Sequence, residues 1–304
     1  MSESTDPLSV GSTSERREEV IPGDHSFALC LTHDVDRPYK TYQSLYYAVT
    51  DRDPSHLRSL LPGRNPYWSF EGIMQLEDEL GVRSSFNFLD EQYLFTDRPI
   101  GTWVDPESWM LYAGRYSITD PQIVELIHEL DGGGWEIGLH GSYESYRDRE
   151  RLRDEKLRLE SILGRSVPGI RQHHLNLEIP ETWEHHRDIG LSYDTSLGSA
   201  ADYGFENGYG VKRPFDDSFV VFPLTLMEIA LPVSDFERSK AACEALLTEA
   251  KEHAAVMTVL WHPRFFCSDT PAYEPLYRGL IERALEMGAW VGPPGELYET
   301  LEHP

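Results

Sequence analysis

The chain has 304 residues, 40% of them hydrophobic, with 52 acids against 27 bases and a formal net charge of −25. That apolar content builds a globular core and excludes a disordered chain, and the charge disfavours non-specific contact with nucleic acid or an anionic membrane. It suits a soluble protein in concentrated salt, where screening reduces self-repulsion, and equally an ordinary acidic cytosolic protein.

Residues 1–22 are rich in Ser, Thr and Glu and read as a mobile N-terminal tail. They contain no apolar core of a secretory signal, and no stretch of about 18 apolar residues follows that would span a membrane. Cys30, Cys243 and Cys267 form no close-spaced pair, which indicates a reducing compartment and no zinc finger. A cytoplasmic location is the expectation. No linker, low-complexity tract or internal repeat divides residues 23–304, so one domain is expected there.

Short apolar runs predict seven strands, at 27–33, 84–89, 135–140, 168–173, 191–196, 219–224 and 254–262. Helical patterns lie between several of them. The run "WSFEGIMQLEDELG" ends at Gly81, and "TDPQIVELIHELDGG" opens on Asp120 and Pro121 and stops at glycines. "RDRERLRDEKLRLESILG" carries Leu152, Leu159, Ile162 and Leu163 on one side. "SDFERSKAACEALLTEAKEHA" and "YEPLYRGLIERALEMG" complete the set. Alternating strands and helices imply a parallel sheet with helical crossovers. Seven strands at this length suit a (β/α) barrel better than an open sheet. Residues 37–67 and 90–118 exceed ordinary connections and are expected to cover or bind.

Ionisable residues gather at the C-terminal ends of these strands: Asp34 and Asp36, His140, Arg171 with His173, Asp194, and His262. In a parallel barrel these ends share one rim, where barrel active sites sit. Asp34 and Asp36 stand two apart and so face one side of an extended chain. Two such carboxylates repel unless a cation lies between them, and a divalent metal or an arginine would serve. His140 and Glu144 are four apart and reach one ion if the chain coils after its strand. An imidazole with carboxylates suits zinc or a similar divalent metal with a position left for water.

At these residues the sequence resembles the polysaccharide deacetylase (NodB-homology) family, carbohydrate esterase family four, over roughly residues 25–265. "THDVD", "HGSYE", "RQHH", "DTSL" and "LWH" resemble its five motifs in order. The resemblance implies a distorted seven-stranded (β/α) barrel and removal of an acyl group from an N-acylated sugar or glycan precursor. It implies Asp34 as catalytic base, Arg171 orienting it, His262 as general acid and Asp194 tuning that histidine. It implies Asp36 and His140 as metal ligands, with Glu144 where a second ligand histidine is expected, and Leu260 lining the acetyl pocket. His173 and His174 replace a Pro-Tyr pair, and Leu197 replaces a Trp. His173, Arg115 and Tyr116 are candidate substrate contacts. A sugar nucleotide or lipid-linked glycan is the expected partner. Hydrolysis of another amide, as in allantoinase-like relatives, and a catalytically silent glycan-binding module are the rival readings.

Overall fold

A computed structural model describes residues 20–41, 43–50, 52–61 and 63–302. All but the last three residues of the expected tail over 1–22 lie outside the described residues. The described residues form one sheet of nine strands: β1 (Ala28–Val35), β2 (Ser85–Leu89), β3 (Glu136–Gly141), β4 (Gly169–Gln172), β5 (Tyr193–Asp194), β6 (Val220–Val221), β7 (Leu224–Met227), β8 (Val256–Leu260) and β9 (Trp290–Gly292). Their order is β6-β5-β4-β3-β2-β1-β8-β7, with β9 added beside the first half of β1. Every named strand pair is parallel. The sheet therefore curls with its consecutive strands β6 and β7 at the two ends of the order, unpaired with each other.

The expected seven strands thus become nine. The run 219–224 divides at Phe222 and Pro223, because proline has no N–H to give a ladder. β9 has three residues, too few for a period to register. The strict strand–helix alternation also lapses between β5 and β7, where no α-helix intervenes.

The helices are α1 (Gln43–Thr50), α2 (Phe70–Leu80), α3 (Pro106–Tyr112), α4 (Pro121–Gly132), α5 (Arg149–Leu163), α6 (Glu181–Asp188), α7 (Phe236–Glu252), α8 (Tyr273–Glu286) and α9 (Pro294–Glu302). α4 shows why they pack as they do. Pro121 starts it where an N–H would be orphaned, and Ile123, Leu126, Ile127 and Leu130 form one apolar stripe buried against β2 and β3 residues. The two long segments are not plain loops. Residues 37–67 hold α1 and a 3₁₀ turn over Pro54–Leu60, and 90–118 hold a 3₁₀ turn over Ile100–Val104 and α3.

β1 sets the site. Its odd positions Leu29 and Leu31, with Phe27 before it, pack among α7 and α8 residues such as Leu246, Leu247 and Leu280. Its even positions face the other way, where Ala28 and Cys30 join Val220 and Phe222. The same alternation carries Thr32 and Asp34 upward on that inner face.

Candidate active site

The residue paired with Asp34 across the β1–β2 register is Asn87. Its Nδ2 donates to Asp34 Oδ1 at 2.9 Å. Gly138 on β3 makes room for it, since a Cβ there would lie 2.1 Å from Asn87 Oδ1. From β4, Arg171 donates through Nη1 to the same Asp34 oxygen at 3.2 Å and to Thr32 Oγ1 at 2.7 Å. From β3, His140 gives its Nδ1 proton to the Arg171 carbonyl at 2.9 Å. The tautomer assigned by that carbonyl leaves Nε2 as a lone-pair nitrogen, 3.8 Å from Asp34 Oδ2. The three strands thus bring Asp34, His140 and Arg171 together. Burial opposes ionisation of Asp34, but the fields of His140 when protonated, of Arg171 and of His262, with the Asn87 bond, outweigh it and hold the carboxyl below its ordinary range.

Asp36 lies just past β1 and is buried. Its Oδ1 accepts from Arg264 Nη1, and its backbone carbonyl accepts from Arg115 Nη1 at 3.0 Å. Burial again opposes the charge, and Arg264, then His262 and Arg115, hold the carboxyl well below its usual range. Glu144, expected beside it as a ligand, turns to two other guanidiniums: Arg98 at 2.9 Å and Arg151 at 3.4 Å. Both carboxylates of the expected metal set are therefore taken by arginine, and His140 alone keeps a free nitrogen. Among the described residues no group of three or more His, Cys, Asp or Glu side chains is arranged to hold a metal ion. The donor set expected from Asp36, His140 and Glu144 does not fit a zinc-type metal, which needs at least three converging ligands. The structure does not bring Asp36, His140 and Glu144 together as one ligand set. Of the two cations considered for the paired aspartates, arginine is the one beside each.

His262 follows β8 and hydrogen-bonds through Nδ1 to Glu228 Oε1 at 2.6 Å. Burial disfavours its charge, but the adjacent Glu228 carboxylate outweighs burial and raises the imidazole above its ordinary value. This corrects the role expected for Asp194. That carboxylate accepts from Ser196 N at 2.9 Å, Ser196 Oγ at 2.6 Å and Trp183 Nε1 at 3.3 Å. It is fully buried and pushed up to about 6 by that burial. Its imidazole neighbour is His186 at 3.4 Å, and no bond joins it to His262.

The remaining expected residues divide. His173 is on the rim, with its ring centroid 5.2 Å from that of His140 and its Nε2 3.4 Å from Arg115 Nη2. Tyr116 donates to the Val35 carbonyl at 2.7 Å and accepts from Leu89 N at 2.8 Å. Its hydroxyl is thereby committed to the backbone of β1 and β2. Leu260 is fully buried among Leu224, Met227 and Leu175. Beside the rim a cleft of about 670 Å³ opens between the two long segments, lined by Tyr39, Tyr93, Tyr112, Arg115 and Tyr116 among others.

Three residues of the site escaped the sequence reading. Asn87 was findable, because "SSFNFL" places a polar side chain on the same alternating face as Ser85. Glu228 stands directly after the apolar β7, so it follows the strand-end pattern of the other site residues. Arg264 sits two positions past His262, across Pro263. The assembled rim carries a carboxyl held below its ordinary range and an imidazole raised above its own.

No family model matches the sequence, and no curated protein matches it. Solved structures do match. A candidate polysaccharide deacetylase from Mycobacterium smegmatis superposes with a TM-score of 0.62 at 17% identity over 92% of each chain. The chitin deacetylase of the fungal pathogen Colletotrichum lindemuthianum gives 0.49 at 13% identity, over 90% of this chain and 87% of that one. A carbohydrate esterase family 4 pseudoenzyme from Bacillus anthracis gives 0.46 at 14% identity, over 89% and 65%. The chain has the curled parallel (β/α) fold of the Mycobacterium smegmatis protein, as the motif resemblance implied.

Proposed function

We propose that the chain is a hydrolase that cleaves the C–N bond of an N-acylated sugar or glycan precursor. The observation that carries this reading is the pair Asp34 and His262, on one rim, with the carboxyl shifted below its ordinary range and the imidazole above its own. Carboxylate and imidazolium pushed in opposite directions are the acid–base assignments such chemistry needs. Asp34 takes a proton from water, whose oxygen bonds to the acyl carbon. Charge developing on the acyl oxygen is met by positive charge at the rim, where Arg171 keeps one guanidinium nitrogen without a partner among the described residues. His262 passes its proton to the nitrogen as the C–N bond breaks, releasing a free amine and a carboxylic acid. A sugar nucleotide or lipid-linked glycan made inside the cell is the substrate class we assign.

The test is acetate and amine release from a panel of N-acetylated sugars, with cyclic and linear ureides alongside. Turnover of the sugars that Asp34→Asn abolishes supports the reading. Normal turnover in that variant removes Asp34 as base, and turnover of ureides alone moves the chain to the allantoinase-like reaction. One observation favours the silent glycan-binding reading, namely the arginines on Asp36 and Glu144. Saturable binding of a glycan with no product released would establish that alternative.

A further inference from the structure

Two guanidiniums beside the rim lack a carboxylate. Arg115 is 8% exposed. It donates to the Leu111 carbonyl at 2.5 Å, to the Asp36 carbonyl at 3.0 Å and, at a long 3.4 Å, to His173 Nε2. Arg37 donates to the Ala113 carbonyl at 2.9 Å and to the Met110 carbonyl. Among the described residues neither has a carboxylate oxygen within 4.0 Å. Buried charges are ordinarily paired, because an uncompensated one is costly in a low-dielectric site.

The carboxylates whose fields reach Arg115 are engaged elsewhere. Asp36 is clamped by Arg264, and Glu91 pairs with Arg151 at 3.0 Å. Arg37, Arg115 and Arg264 thus crowd around one aspartate, and Arg37 is depressed by burial and then by Arg115. This concentration of positive charge stands out in a chain of net charge −25. Arg115 also borders the cleft whose walls include Tyr39, Tyr93 and Tyr112, rings with apolar faces and polar edges that suit a sugar.

We propose that Arg115, with Arg264 beside it, is a receptor for an anionic group of the substrate, a carboxylate or a phosphate carried on the sugar. The proposal rests on the N-acyl sugar reading and names the missing charge in it. A guanidinium fork matches both anions in two-pronged geometry, and an incoming oxygen would replace the weak contact to His173.

The experiment is calorimetric binding at fixed ionic strength with three probes: N-acetylglucosamine, N-acetylneuraminic acid and N-acetylglucosamine 1-phosphate. The expected result is that one acidic probe binds about tenfold or more tighter than the neutral sugar, the scale of a charge-assisted pair. Which acidic probe wins distinguishes carboxylate from phosphate. Arg115→Gln abolishes the preference, and Arg115→Lys keeps part of it. Added sodium chloride weakens the acidic probe in the unaltered chain and leaves the neutral one unchanged, a readout that needs no variant. Equal affinity for all three probes, or a preference that survives Arg115→Gln, overturns the receptor. Acetate release is followed in the same mixtures. A preference without release keeps the receptor and removes the hydrolase, whereas release with no preference does the reverse.

Discussion

Two buried His–Glu pairs lie close together in this molecule and behave differently. His33 Nε2 meets Glu77 Oε1 at 3.1 Å, and both side chains are fully buried. The other ring nitrogen bonds the Trp261 carbonyl at 2.5 Å, while Glu77 also accepts from Tyr277 and Trp135, each at 2.8 Å. Phe86 stacks on the imidazole at 4.6 Å. Nothing in that pair is left to bond with. His262 and Glu228 are as closely joined, yet His262 Nε2 has no partner among the described residues. The lesson is that one spare nitrogen, rather than residue type, separates the sealed pair from the pair we propose to react. The two are also linked in series, because His33 grips the carbonyl of Trp261, the residue before His262.

The sharpest break of this contrast is to remove each histidine or its acid in turn. His262→Ala is expected to lower turnover of an N-acetylated sugar by about a thousandfold, within the range of general acid catalysis, and to lower the urea midpoint as well, because it leaves the buried Glu228 carboxylate without its partner. Glu77→Ala strands His33, Tyr277 and Trp135 together and is expected to cost about 3 kcal/mol or more. Urea denaturation reads that loss, and any folded fraction retains its turnover per molecule. A sealed pair whose loss left the midpoint unmoved would contradict the division.

Glu228→Gln is milder and tests the direction of the His262 shift. Burial alone would lower that imidazole, so removing the carboxylate moves the alkaline limb of the pH–rate profile toward acid. Turnover near neutral pH then falls by about tenfold. An alkaline limb that stays in place would remove Glu228 from the role.

The same groups set opposite stability trends. His262 is raised by folding, so its contribution is full below its ordinary value and is lost as pH climbs through the raised one. Asp34 is lowered by folding, so its contribution is full above the ordinary carboxyl range and is lost as pH falls through the depressed value. Asp34→Asn should flatten the acid side of a stability–pH curve and leave the alkaline side unchanged, as urea midpoints across pH would report.

The smallest expected effect concerns the cation. Zinc should bind weakly to the unaltered chain, and Arg264→Ala, by leaving Asp36 uncompensated, should raise that affinity by about tenfold. Tight zinc binding by the unaltered chain, lost on Asp36→Asn, would restore the metal.

Much of the rim was legible because two simple periods carry it. Alternation along β1 puts Asp34 on the inner face, and parallel pairing brings His140 and Arg171 to the same level. The resemblance supplied an order of motifs that the fold accommodates. What escaped depends on side-chain partners rather than spacing. Glu144 is claimed by Arg98, 46 positions earlier in the chain, and by Arg151 from α5, so its spacing from His140 carried no information about its partner. Glu228 took the place beside His262 because β7 splits from β6 at a proline and ends at the rim, a break that a single apolar run at 219–224 concealed. Arg264 reaches back to Asp36 through the turn at Pro263–Phe265, which fixes a direction no pattern encodes.

Tyr116 has one more consequence. Its hydroxyl stitches the far end of the 90–118 segment to Val35 and Leu89, at the tips of β1 and β2. The cleft wall and the strand that bears Asp34 are thereby joined directly. In the function we propose, a sugar leaning on that wall is indexed to Asp34 by two hydrogen bonds.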